Sequence, residues 1–185
     1  MVSNHQSLAD IPIISNLPWE MKWMAKLELF KLPVVGWMLR MAGDIPVNRQ
    51  SGRSGAQALL RAKEYLQQKC SVMIFPEGTR SPDGRIGPFN DGAFHLAVRE
   101  QVAILPIAVE GSRNCLPKRS WRFGPSQDIF LHLLPAIETT GLSPQDVPAL
   151  RDNIRTLILA EVARLRGVSV ESVDRLAPTP VPTEA

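Results

Sequence analysis

Between Gly55 and Phe75 the chain changes periodicity almost without a gap. The segment GAQALLRAKEYLQQK sets Ala58, Leu59, Ala62 and Leu66 on one face and charges on the other, the signature of an amphipathic helix. Ser71-Val72-Met73-Ile74-Phe75 follows directly and is stopped by Pro76. An unbroken apolar, β-branched run of that length is the pattern of a strand covered on both faces. Such a helix must pack on a sheet, and such a strand needs cover on both sides. The fold class expected is therefore α/β, a single layered domain with a central mixed β-sheet flanked by helices.

The rest of the chain fits this alternation. Residues 11–17 predict a short helix closed by Pro18, residues 22–25 a strand, and residues 33–42 a helix opened by Pro33 and stopped by Gly43. A helix is expected over 91–100. Buried strands are expected over Val102–Val109, interrupted by Pro106, and over Ile129–Leu134. Ser143-Pro144-Gln145-Asp146 is a helix start, with a capping serine and an acid at the third position. That helix should run to about Arg166. One domain is expected over 1–176, followed by a disordered proline-rich tail over 177–185.

Net charge is +3, which permits an anionic partner and selects none. No recognised nucleic-acid motif accompanies it, so nucleic acid is not an expected partner. Cys70 and Cys115 form no CxxC pair. Two lone thiols fit a reducing cytoplasm and offer no zinc-ligand spacing. No apolar run reaches about 18 residues, so no transmembrane helix is expected.

The polar clusters carry the chemistry. The chain holds three histidines, and the first lies in Asn4-His5-Gln6-Ser7-Leu8-Ala9-Asp10. On one continuous helix, five residues turn through about 500° and separate the two side chains. They meet only if His5 ends a strand or loop and Asp10 lies in the first helical turn. There the carboxylate would hold one imidazole tautomer, as proton abstraction from a hydroxyl requires. A capping aspartate beside a turn histidine explains the same residues as simply.

The second cluster is Phe75-Pro76-Glu77-Gly78-Thr79-Arg80-Ser81, at the carboxyl end of the expected strand, where open α/β sheets bind ligands. Arg80 can hold a phosphate bidentately and Thr79 can add a donor. A surface turn with a Glu77–Arg80 ion pair is the plain alternative. A third stretch, Gly43-Asp44-Ile45-Pro46-Val47-Asn48-Arg49, brings in another arginine.

Together these residues resemble the glycerolipid acyltransferases, the family of bacterial 1-acyl-glycerol-3-phosphate acyltransferases. Asn4-His5-Gln6-Ser7 with Asp10 resembles its first block; Gly43, Ile45 and Arg49 its second; Phe75 to Ser81 its third; and Leu105-Pro106-Ile107 leading to Glu110-Gly111 its fourth. Lys26-x-Glu28-Leu29 fits the run between the first two. The resemblance implies the family's α/β fold and a general base, His5, oriented by Asp10, with Glu77 shaping the site. It implies Arg49, Gly78, Thr79 and Arg80 as binding residues for the acceptor. The acyl group would pass from acyl-CoA or acyl-carrier protein to the sn-2 hydroxyl of a lysophospholipid acceptor, 1-acyl-glycerol-3-phosphate, giving phosphatidate. It also implies direct transfer, without covalent acyl-enzyme, metal or cofactor; Gly52-Arg53-Ser54-Gly55 is one residue short of a Gly-x-Ser-x-Gly turn.

Where many members read Phe-Lys-x-Gly, this chain reads Phe89-Asn90-Asp91-Gly92. Another lysolipid acceptor, such as lyso-ornithine lipid, therefore stands as an alternative, and an inactive membrane-binding homologue stands as a second one, favoured by the short stretch ahead of the histidine block. Members usually carry a helical membrane segment and a strand ahead of the histidine block, whereas Met1-Val2-Ser3 precede Asn4 here. The chain is accordingly expected to be a fragment or to start late. An amphiphilic acceptor implies a membrane surface, and the resemblance places the protein peripherally on the cytoplasmic face of the cell membrane. Trp19, Trp23 and Trp37 among Lys22, Lys26 and Lys31 offer interfacial side chains, unless they pack in the core. Arg113, Lys118, Arg119 and Arg122 around Trp121 offer a basic surface for headgroups or an acidic carrier, or a solvated loop.

Overall fold

A computed structural model describes residues 1–48, 51–116, 122 and 124–176. The chain runs β1 (Val2–Ser3), α1 (Asp10–Ile14), β2 (Met21–Lys26), a 3₁₀ turn (Leu27–Lys31), α2 (Val35–Met41), β3 (Ile45–Val47) and α3 (Gly52–Gln67). It continues with β4 (Ser71–Met73), α4 (Gly92–Glu100), β5 (Pro106–Glu110), α5 (Ser112–Cys115), β6 (Phe130–Leu133), a second 3₁₀ turn (Pro144–Asp146), α6 (Val147–Arg166) and α7 (Val170–Val173).

Two three-stranded ladders, β3-β2-β4 and β1-β5-β6, share one surface. The parallel bridge Val2↔Ile74 joins them, with Ile74 donating to Met1 O and Ser3 to Ile74 O. The strand order is thus β3-β2-β4-β1-β5-β6, parallel throughout except for β6. The mixed sheet agrees with the expected fold class. Although only two residues long, β1 lies near its centre.

Strand alternation divides the core between the two faces. Met73, Phe75, Ile107 and Val109 pack with Ile14 of α1 and Trp23 on one side. On the other, Val72 meets Ala58 and Ala62 of α3, while Val2 and Ala108 meet α4 and α6 through Phe94, Ile154 and Ile158. All of these side chains are buried, so the faces of the sheet are covered as a parallel sheet requires.

Two expected strands differ from the observed ones. The run from Val102 becomes a strand only at Pro106; Ile104 makes a single bridge to Ile137. Proline lacks the ladder donor and is accommodated as the first residue of a strand. The run from Ile129 is an edge strand rather than a buried one, with Phe130 and His132 exposed. The Ser143 start is confirmed by a complete capping box with Asp146. The tail over 177–185 lies outside the described residues.

Candidate active site

Three neighbouring parallel strands, β4, β1 and β5, end on the same edge of the sheet. Just beyond these ends lie Glu77, His5 and Ser112. Such an edge is where loops can converge on a ligand without disturbing the sheet.

His5 follows β1 in an extended turn, and Asp10 opens α1, the arrangement the spacing requires. Asp10 is fully buried, and its Oδ2 accepts from His5 Nδ1 at 2.8 Å, Gln6 N at 2.8 Å and Ser7 N at 2.9 Å. Its Oδ1 accepts from Ser112 Oγ. The Ser7 amide bonded to Asp10 is one half of a capping box. Ser7 Oγ instead accepts from Ala9 N and donates to Leu116 O. Three other donors already point at this carboxylate, which accepts and has no hydrogen to give, so Nδ1 carries the hydrogen and proton transfer falls to Nε2.

The ring of His5 stacks on Phe75, with centroids 3.8 Å apart and planes 9° apart. Face-to-face stacking of this kind, with Asp10 bonded at one edge, leaves the imidazole little freedom to tip. Asn4 completes the turn by copying a strand: its Nδ2 donates to Val109 O at 2.8 Å and its Oδ1 accepts from Val109 N at 2.9 Å.

Glu77 bridges two backbones. Its Oε1 accepts from His5 N and its Oε2 from Gly87 N, both at 2.9 Å. Burial pushes its carboxyl above the usual glutamate range, against those two amides and the nearby Arg175 and Arg155. Ser81 N donates to His5 O at 2.8 Å, so the Glu77 loop holds the histidine turn from both sides.

The loop is braced in turn by the C-terminal helices. Arg155 of α6 is buried and donates to Gly87 O at 2.9 Å and Ile86 O at 3.0 Å. Arg175, just past α7, donates to Ser81 Oγ and to Asp83 Oδ1. Burial opposes the charge of Asp83, but hydrogen bonds from Arg175, Arg85 N and Ser81 outweigh it and hold its carboxyl at about 2.

Gly78 takes φ +69, a left-handed conformation that bends the loop outward. Asn90 faces it and donates through Nδ2 and N to Pro76 O at 2.7 and 2.9 Å. Asn90, the position at which the chain departs from the expected Phe-Lys-x-Gly pattern, thus fastens the loop. Behind lies a cavity of about 410 Å³ lined by Met24, Val47, Leu59, Ile74 and Phe75, with Glu77, Gly78 and Thr79 at its polar side. Its size and mostly apolar wall suit a lipid-like ligand.

The structure therefore brings His5, Asp10 and Glu77 together and sets Gly78, Thr79 and Arg80 in the adjoining loop. Arg49 lies outside the described residues, as do Lys118, Arg119 and Trp121. The other histidines, His95 and His132, are exposed on α4 and β6. Among the described residues no cluster of His, Cys, Asp and Glu could hold a metal. Ser112 was not legible from its type; it directly follows Glu110-Gly111, where the fourth block ends.

Residues 1–110 match the profile of the acyltransferase family. Over 161 residues the chain is 37% identical to the mouse 1-acyl-sn-glycerol-3-phosphate acyltransferase alpha, covering 86% of this chain and 56% of that one. Over 119 residues it is 42% identical to the chloroplastic 1-acyl-sn-glycerol-3-phosphate acyltransferase BAT2 of Brassica napus, covering 64% and 35%. Its fold matches the crystal structure of the 1-acyl-sn-glycerophosphate acyltransferase PlsC from Thermotoga maritima with a TM-score of 0.77. That match has 33% identity and covers 91% of this chain and 66% of that one. The chain spans about a third to just over half the length of the curated relatives described. With the profile spanning all four blocks, from the His5 turn to Glu110, the chain belongs to the acyltransferase family.

Proposed function

We propose that the protein transfers a fatty acyl group from an acyl thioester, acyl-CoA or acyl-carrier protein, to the free hydroxyl of lysophosphatidate, giving phosphatidate. The observation that carries this reading is the buried Asp10–His5 pair at the strand ends, beside an apolar cavity. His5 Nε2 takes the hydroxyl proton as the alkoxide oxygen attacks the thioester carbonyl carbon. The C–O bond forms, the tetrahedral centre collapses, and the C–S bond breaks. The thiolate then leaves with the proton from the imidazolium, whose charge Asp10 stabilises.

Glu77 acts on His5 through the backbone, so its part is to place the base. Gly78, Thr79 and Arg80, with Arg49, bind the acceptor's phosphate, and the cavity takes an acyl chain. The family profile and the named relatives support lysophosphatidate as acceptor.

The protein works at a bilayer surface, where its acceptor resides. Val34, Trp37, Met38 and Met41 recur at helical spacing along α2 and its first cap, and all are exposed, by 61% to 71%. Leu32 and Val35 widen this apolar stripe, and Lys31 and Arg40 flank it with positive charge. Patches of this kind mark contact surfaces, and tryptophan with basic neighbours suits a membrane interface. Trp23, in contrast, is core. No helix of the described residues is long and apolar enough to cross a membrane.

The test offers a panel of lysolipids with labelled acyl-CoA or acyl-carrier protein and identifies the products by mass spectrometry. Phosphatidate is the expected product. Acylation of another lysolipid alone would overturn the choice of acceptor, and no product from any pair would overturn acyl transfer.

A further inference from the structure

We infer that Ser112 is a positioning residue for the proposed base. Asp10 has no exposed surface, so no solvent compensates a missing donor on either oxygen. Gln6 N and Ser7 N hold Oδ2 toward His5, and Ser112 Oγ holds Oδ1 from the opposite side. The carboxylate is thereby fixed about its own axis by donors that come from the ends of β1 and β5. Without the hydroxyl, Oδ1 becomes a buried acceptor lacking a partner, and the carboxylate turns to find another donor. Oδ2 then moves off the line to His5 Nδ1.

The backbone places Ser112 with little latitude. Gly111 adopts φ +91, and a Cβ there would lie 2.3 Å from Asp128 O, so the chain must turn at a glycine as it leaves β5. Ser112 is the first residue of α5, and Ser7 Oγ donates to Leu116 O at 2.8 Å just beyond the other end of that helix. The histidine turn and α5 are thus fastened together at two points, 102 and 109 residues apart in sequence. Ser112 is itself fully buried and touches the base only through Asp10, so it orients the reaction without meeting the acceptor.

The kinetic consequence rests on the acyl-transfer reading, whereas the geometric consequence does not. Ser112→Ala and Ser112→Thr are compared with wild type by steady-state kinetics, thermal unfolding and NMR of ¹⁵N-histidine-labelled protein. The His5 signals are assigned as those missing from His5→Ala. The expected result is a fall in kcat of about tenfold or more for Ser112→Ala at unchanged KM, with displaced His5 ring-nitrogen resonances. Ser112→Thr, which keeps the hydroxyl, should restore both.

Wild-type turnover with unmoved His5 resonances in Ser112→Ala would overturn the inference and leave acyl transfer standing. Lower thermal stability with unmoved resonances would also overturn it, as a merely structural role predicts. If wild type transfers no acyl group while Ser112→Ala displaces the His5 resonances, acyl transfer fails and the positioning role stands.

Discussion

The backbone amide of His5 donates to Oε1 of Glu77 at 2.9 Å, so the acid of the third block touches the main chain of the first. Its other oxygen accepts from Gly87 N, and no single-acceptor side chain can serve both amides. Glu77→Gln would leave one of the two facing an NH₂ group. The expected loss is about 1–3 kcal/mol of stability, measured by urea unfolding, since one buried donor goes unpaired. Turnover should fall with it because the turn carrying His5 shifts. Wild-type values of both would contradict the bridging role.

The Asp83–Arg175 contact predicts a pH dependence. Folding lowers the Asp83 carboxyl from 3.8 to about 2, so the ionised form is favoured in the native state. A lowered acid contributes stability above its unfolded value and loses that contribution as pH falls through its folded one. Asp83→Asn should therefore be less stable than wild type at pH 7, with the gap narrowing below about pH 4 and closing near pH 2. Thermal unfolding across pH 2–7 checks this. A gap that stays constant to pH 2 would remove the ion pair from the account. The effect should be modest, since nearly half of the Asp83 side chain is exposed (48%).

The outward stripe of α2 predicts bilayer binding. Trp37 and Met41 are 65% and 71% exposed, so replacing both by serine leaves the core untouched. Burial of such side chains in lipid contributes about 1.5–3 kcal/mol each, so the double variant should bind anionic vesicles at least about tenfold more weakly. Co-sedimentation measures it. Equal partition of variant and wild type would place the contact surface elsewhere.

Local pattern made much of the fold readable, and long-range geometry hid the remainder. The helix over Gly52–Gln67 is legible because it covers enough residues for its period to show, and the strand after it because its apolar, β-branched run is unbroken up to Pro76. The edge position of Phe130–Leu133 was not, because an apolar run looks alike whether one face or both are covered. The three tryptophans of 19–43 divide between core and surface, a division set by packing rather than by composition. His5 and Asp10 could be paired by spacing alone because they are five residues apart. Ser112 reaches the same carboxylate across 102 residues, a contact no local pattern encodes.

The most direct measurement of the central claim is acyl transfer to lysophosphatidate from labelled acyl-CoA or acyl-carrier protein, comparing wild type with His5→Ala. With His5 as general base, wild type forms phosphatidate and the variant loses about 10²–10⁴-fold in kcat, with KM for lysophosphatidate little changed. Wild-type turnover by His5→Ala would contradict the account.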